Sequence, residues 1–294
     1  MTITAESLTL NLVNFRTQML NSLTDATSST GSSFGDILSQ LQAGGTADAS
    51  AQSLAQPCSA GDLLAVGSNA SANGINAGEA MMTTINGLDI TYKAQFSALN
   101  QMESNLPQLQ AAAQQLGTVN GPDGSDTLRT RLEDFAQQYN AWVQRFSPDM
   151  QQGGVLANTQ AAEVSVYELK QSITNPFVGA KDGFNGLSSM GITIDPNTGL
   201  LSVDSAQLGS AWANNQQGVV DAISEFSANF STSAGLLASN GNIVRDQLNN
   251  LGSAIGYIDG NAAALQKEFG NGAAADSTGQ VAQALAAYNS TSGI

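Results

Sequence analysis

The chain has 294 residues, enough for one or two domains and a sizeable core, yet only 11% of them are charged and 6% aromatic. Its net charge of −15, with nine Lys and Arg in all, excludes a surface built to neutralise phosphates and so argues against a nucleic-acid partner or an anionic membrane. Histidine is absent and Cys58 is the single cysteine, which excludes an internal disulfide and removes the commonest acid/base residue and zinc ligand together.

Residues 6–23 read as an amphipathic helix, because Leu8, Leu12, Phe15, Met19 and Leu23 alternate spacings of four and three. A shorter helix is expected over about 34–41. From 43 to 76 the sequence is Gly, Ala, Ser, Asn and Asp without periodicity, which reads as a flexible linker holding Cys58. The opening MTITAESLTLNLVNFR has neither a basic start nor a continuous apolar stretch. It does not read as a secretory signal, and no apolar run approaches the ~20 residues of a membrane span, so no membrane insertion is expected.

Helical order returns at about residue 77 and is expected to run to 116. Tyr92, Phe96, Leu99, Met102, Leu106, Leu109, Ala113 and Leu116 form one seam. Pro107 lies inside it and is expected to kink or split the helix. The stretch GTVNGPDGS at 117–125 is turn chemistry. A second long helix is expected from Asp126, read as its N-cap, to Pro148, read as its stop. Its seam is Leu128, Leu132, Phe135, Tyr139, Trp142 and Phe146. A third helix is expected over 160–174 with Ala162, Val166, Leu169 and Ile173 inward.

The sequence then changes period. Ile192 and Ile194 alternate on one side of Pro196-Asn197-Thr198-Gly199, and Leu201 and Val203 on the other. Proline fixes φ, asparagine tolerates unusual backbone angles and glycine accepts a positive φ. This predicts one small β-hairpin at about 190–204. Asp204 or Ser205 is expected to cap a following helix that carries Leu208, Ala211 and Trp212. Val219, Ile223, Phe226 and Phe230 mark the next helix. Val244, Leu248, Leu251, Ile255, Ile258, Ala262, Leu265 and Phe269 then repeat in a coiled-coil-like stripe. A short terminal helix is expected near 277–288. The predicted fold is mainly α: an elongated antiparallel helical bundle or coiled coil with one small hairpin. In it the stripes of 77–116, 126–147 and 240–269 bury one another.

No constellation carries catalysis, and the expectation is a protein that is not an enzyme and holds no cofactor or metal. Glu133 and Asp134 are neighbours on a helix and point apart, and Glu163 and Glu168 are poorly spaced for a carboxylate pair. No Gly-x-Ser-x-Gly elbow occurs. Asp195-x-Asn197-x-Gly199 departs from a calcium loop at its fifth and twelfth positions, Gly199 and Ala206, and fits a hairpin turn. The stripe of Leu8, Leu12, Phe15, Met19 and Leu23 has no obvious mate within the chain, so these five residues are the expected oligomer or partner-binding site.

Six segments in order also resemble one family. They are Asn86-Gly87-Leu88-Asp89-Ile90; Tyr92-Lys93-Ala94-Gln95-Phe96-Ser97-Ala98-Leu99; Phe135-Ala136-Gln137-Gln138-Tyr139-Asn140; Val155-Leu156-Ala157-Asn158-Thr159; the hairpin with its flanks; and the stripe at 244–269. Together, over about 77–270, they resemble the bacterial flagellar filament-capping protein, or hook-associated protein 2, family. The resemblance implies a secreted structural protein, exported without a cleaved signal through the flagellar export apparatus, with or without a chaperone. Its implied partners are flagellin, hook-associated proteins and copies of itself in a homo-oligomer at the filament tip. Composition and periodicity divide the chain into an N-terminal segment 1–42, the linker 43–76, a helical domain 77–276, which the resemblance makes leg-like, and a C-terminal tail 277–294. In the family a β-rich head is inserted between the two halves of the leg. Here only the turn at 117–125 stands in that place, too short for any domain. A secreted helical adhesin or regulatory binding protein is the alternative reading.

Overall fold

The computed structural model describes residues 77–292. The stripe of Leu8, Leu12, Phe15, Met19 and Leu23, the expected helix at 34–41, the 43–76 linker and Cys58 lie outside the described residues. Those described form seven α-helices and one two-stranded antiparallel sheet. In chain order they are α1 (Ala77–Leu116), α2 (Gly124–Met150), α3 (Gln160–Thr174), β1 (Ile192–Ile194), β2 (Leu201–Val203), α4 (Ser205–Asn214), α5 (Gln216–Leu237), α6 (Ile243–Phe269) and α7 (Gly279–Ser292). The fold is mainly α with a single hairpin, as the periodicities predict.

Two compact units divide the chain, one of them Ala98–Asp246 and the other containing 77–97 and 247–292 of the described residues. In the unit Ala98–Asp246 every residue of the α2 seam is buried, from Leu128 to Phe146. Phe135 meets the rings of Phe226 and Phe230 on α5 edge-on, at centroid distances of 5.5 and 5.0 Å. Edge-to-face geometry adds to the gain from burial alone. Leu99, Met102, Leu106, Leu109 and Leu116 of α1 are buried in the same unit. The close approach of α1 to α5 depends on small residues. Ser227 Oγ on α5 donates to the Ala113 carbonyl at 2.6 Å, and a Cβ on Gly117 would lie 2.5 Å from that hydroxyl. The carboxylate of Glu103, itself buried, meets Arg245 Nη2 at 2.7 Å.

In the other unit, α1 and α6 run antiparallel. Met82, Ile85 and Leu265 form a buried cluster, with Met81, Ile258 and Phe269 packed against it. Leu248, Leu251 and Ile255 of the α6 stripe are also buried, as is Ala254 beside them. The Tyr288 ring of α7 stands edge-on to Phe96 of α1, at 5.9 Å.

Four local expectations are corrected. α1 continues unbroken through Pro107, which lies on its exposed face; there the ring costs a hydrogen bond without clashing with a packed neighbour. Asp126 is not a cap. A 3₁₀ turn over Gly121–Asp123 feeds directly into α2, whose N-cap is Asp123. Asp126 sits in the first helical turn, where its charge complements the helix dipole. Pro148 lies within the last turn of α2 and does not stop it, because the helix runs to Met150. On α3, Ser165 takes the fully buried place expected for Val166, which is half-buried. Ser165 satisfies its hydroxyl on the Ala161 carbonyl at 2.7 Å, so its burial leaves no orphan.

Candidate functional site

The residues that carry chemistry in this fold are joints. The first holds the hairpin on α2. β1 and β2 pair in the register Ile192 to Val203, Thr193 to Ser202 and Ile194 to Leu201. A two-stranded hairpin is marginal alone and needs a packed face. Ile192 and Leu201 supply it, both buried, while Thr193 and Ser202 bond to each other at 3.0 Å on the exposed face. The amide of Asn140, in the middle of α2, then treats β2 as another strand would. Its Nδ2 donates to the Leu201 carbonyl at 2.8 Å, and its Oδ1 accepts from the Leu201 N–H at 2.7 Å. Tyr139 beside it is buried, and that burial pushes its hydroxyl pKa up to about 12.

The turn is closed by Asp195. Its Oδ1 accepts from the N–H groups of Asn197 at 2.8 Å and Thr198 at 2.9 Å, and Gly199 takes a φ of 71°. The Thr198 and Asn197 bonds hold the Asp195 carboxyl below the usual aspartate range. The stabilisation of the turn is therefore present above the ordinary aspartate pKa and is lost as pH falls through the lowered value. With that oxygen committed to two backbone donors, the calcium-loop likeness reduces to turn chemistry. Asp204 caps α4 by accepting from Ala206 and Gln207. Of the apolar residues that α4 carries, Leu208 is fully buried, whereas Ala211 and Trp212 are half-buried.

Asn140→Ala is expected to free β2 from α2. It removes two bonds and leaves the Leu201 N–H and carbonyl without those partners, a loss of about 2–4 kcal/mol. Hydrogen exchange resolved by peptide checks this: protection should fall first across 191–204, and unchanged protection there would show that packing alone docks the hairpin.

The second joint lies in the unit containing 77–97 and 247–292. Lys93 Nζ of α1 sits 2.8 Å from Asp89 Oδ2 on its own helix and 2.8 Å from Asp259 Oδ1 on α6. Desolvation raises the Asp89 pKa despite the pairing. For Lys93 desolvation opposes the charge, but its bonds to Asp259 and Asp89 win and its pKa is raised. Asn86 Nδ2 donates to the carbonyls of Asn271 at 3.2 Å and Ala273 at 2.9 Å, and Thr83 Oγ1 accepts from the Ala273 N–H at 2.8 Å. Those bonds fasten the segment after α6 onto α1. Gly272 permits the approach, since a Cβ there would fall 2.5 Å from the Thr83 nitrogen.

Nothing in these joints pairs a nucleophile with a base. Glu133, Asp134, Glu163 and Glu168 all stand on exposed faces. Arg129 reaches Asp126 at 3.2 Å and Glu133 at 3.9 Å in surface pairs of small energetic weight. Among the described residues no three His, Cys, Asp or Glu side chains gather into a metal-binding group, and no helix is long and apolar enough to cross a membrane. An open depression of about 450 Å³ lies beside α4, lined by residues that include Asp182, Phe184, Gln207 and Asn215. The amides of Gln207 and Asn215 are already spent on backbone carbonyls.

The six segments singled out in the sequence thus fall largely on contacts that hold elements together. A family model described as the flagellar hook-associated protein 2 C-terminus matches residues 77–277, more than half of the chain. The chain belongs to the flagellar hook-associated protein 2 family. No curated protein and no solved structure matches it. The family is one of structural, cap-type proteins of the flagellum. In this member the family-like segment ending Tyr139-Asn140 is explained by the Asn140 clamp, and the segment Asn86–Ile90 by the fastening of Asn86 and the Asp89–Lys93 pair. Val155–Thr159 supplies buried Val155 and Leu156, a bond from the Leu156 N–H to the Asp149 carbonyl at 2.7 Å, and Thr159 as the N-cap of α3. Asn140 lies in a family-like segment, but neither its spacing nor its neighbours in sequence name its partner. A signal was present: asparagine is a poor residue for the interior of a long helix, so one placed next to a buried seam residue needs a partner for its amide. The Glu103–Arg245 pair carried no comparable signal, because its members are far apart in sequence.

Proposed function

We propose that this chain is a filament-cap-like structural protein of the bacterial flagellum that self-associates at the growing tip and assists flagellin assembly beside other hook-associated proteins. The single observation that carries the reading is the family match over 77–277, whose family-like segments form joints within each of the two folded units. Export through the flagellar apparatus without a cleaved signal, with or without a chaperone, belongs to the same proposal. So does docking of copies or partners through Leu8, Leu12, Phe15, Met19 and Leu23.

One observation favours the second reading, a secreted helical adhesin or regulatory binding protein. α1 ends at Leu116 and α2 begins at Gly124, with a 3₁₀ turn between them. No domain fits in that connection, where the resemblance leads one to expect an inserted head.

Deletion of the gene separates the two. Loss of capping should shorten the filaments and release unpolymerised flagellin into the medium, whereas filaments of normal length would leave the adhesin or regulatory reading. In the same strain, a chain lacking residues 1–42 should stay inside the cell while keeping the thermal melt of the full chain. Its appearance in the medium would show that the export information lies elsewhere.

A further inference from the structure

Five Asn-Gly pairs lie among the described residues: Asn86-Gly87, Asn120-Gly121, Asn185-Gly186, Asn240-Gly241 and Asn271-Gly272. Each has the chemistry for self-modification. The glycine nitrogen attacks the asparagine side-chain carbonyl carbon, a five-membered imide forms and ammonia leaves. Water then opens the ring at either carbonyl to give aspartate or isoaspartate, and no oxidant, reductant or enzyme is needed. Glycine favours this because no side chain hinders the approach and its backbone is free to reach the required geometry. The fold must supply the rest: a free amide, a free glycine N–H and room to move.

Four pairs are restrained. Asn86 lies inside α1 and its Nδ2 holds the carbonyls of Asn271 and Ala273. Asn120 donates from Nδ2 to the Thr118 carbonyl at 3.1 Å and from its backbone N–H to Asp123 Oδ2 at 2.8 Å. The Gly186 nitrogen is committed to the Val178 carbonyl at 3.1 Å, and Gly186 is buried. Gly272 is wedged against the backbone of Met82 and Thr83. Asn240-Gly241 differs on every count. It forms the turn between α5 and α6, both residues are exposed, and nothing lies within 4 Å of a Cβ built on Gly241. Among the described residues, neither the Asn240 amide nor the Gly241 N–H has a hydrogen-bond partner.

We propose that Asn240-Gly241 is the self-modification site among the described residues, converting to aspartate and isoaspartate ahead of the other four pairs there. The site adjoins a loaded joint. Asn242 Oδ1 caps α6 by accepting from the Val244 N–H at 2.7 Å and the Arg245 N–H at 3.1 Å, while its Nδ2 donates to the carbonyls of Leu236, Leu237 and Ser239. Isoaspartate at 240 inserts an extra main-chain carbon two residues before that cap. The added length disturbs the geometry with which Asn242 ties the end of α5 to the start of α6.

The test incubates the purified full chain at mildly alkaline pH and follows each pair by peptide mapping with mass spectrometry. Acid and isoaspartyl products should accumulate at 240 at least about tenfold faster than at any other described pair, the ratio expected when the others must first open locally. In denaturant the five rates should converge. Asn240→Gln, which disfavours the five-membered imide, should remove the early product and keep the Tm of the fresh protein constant during incubation, while the Tm of the unsubstituted chain falls. Faster conversion at another pair would overturn the proposal. So would an early product that persists in Asn240→Gln, or full conversion at 240 with no change in Tm.

Discussion

Leu251→Asp is expected to abolish cooperative melting of the unit that contains 77–97 and 247–292. Leu251 is 4% exposed on α6 and lies in the stripe with Leu248 and Ile255, which are buried, as is neighbouring Ala254. A carboxylate there leaves water without a cation to meet it. It either stays charged and desolvated or takes up a proton, and either course costs several kcal/mol. Domain stabilities are commonly about 5–15 kcal/mol, so a loss of that size removes most of the margin. Circular dichroism through a thermal ramp checks it. A sigmoidal melt at the unsubstituted temperature would show that the α6 stripe is not packed as described. Leu251→Met, which conserves volume, should cost less than about 1.5 kcal/mol and serves as the control.

Phe135→Ala should lower the stability of the unit Ala98–Asp246 by about 3–5 kcal/mol, the range for deleting a buried aromatic ring. Phe135 is 1% exposed, and its ring is the common neighbour of Phe226, Phe230 and Tyr139. Truncation removes its apolar contacts with all three and leaves a cavity that fixed helices cannot close. Urea unfolding followed by tryptophan fluorescence suits the measurement, because Trp142 is buried one helical turn beyond Tyr139 on the same α2 seam. A midpoint within error of the unsubstituted chain would show that the ring cluster can repack. Phe135→Leu should recover part of the loss, since it restores volume without the edge-to-face contacts.

These two residues were legible in the sequence for one reason. Helical burial is periodic, and Leu251 and Phe135 each sit within a run spaced by threes and fours. The same periodicity placed α1 and α3 at their observed ends and identified the inward residues of α2 and α5. The hairpin was legible through turn chemistry, where proline, asparagine and glycine at fixed offsets leave few backbone solutions. The order of the family-like segments carried the family itself. Helix ends were less legible where a proline or aspartate was read locally. Pro107 and Pro148 break a helix only if the surroundings cannot accommodate the lost bond, and Asp126 would cap only if the 3₁₀ turn before it had not already begun the coil.

What the sequence by itself determined is therefore local and repetitive: mainly helix, one hairpin, which faces are apolar, and membership of the flagellar hook-associated protein 2 family. What only the tertiary structure decided is pairing across distance. Asn140 finds the backbone of Leu201, Lys93 finds Asp259, Asn86 finds the chain after α6, and Glu103 finds Arg245. No spacing rule reaches so far, because a polar side chain on a helix can be satisfied equally well by water until another element arrives to exclude it. Once that element packs, the unpaired group would cost free energy, and the fold settles which partner removes the cost.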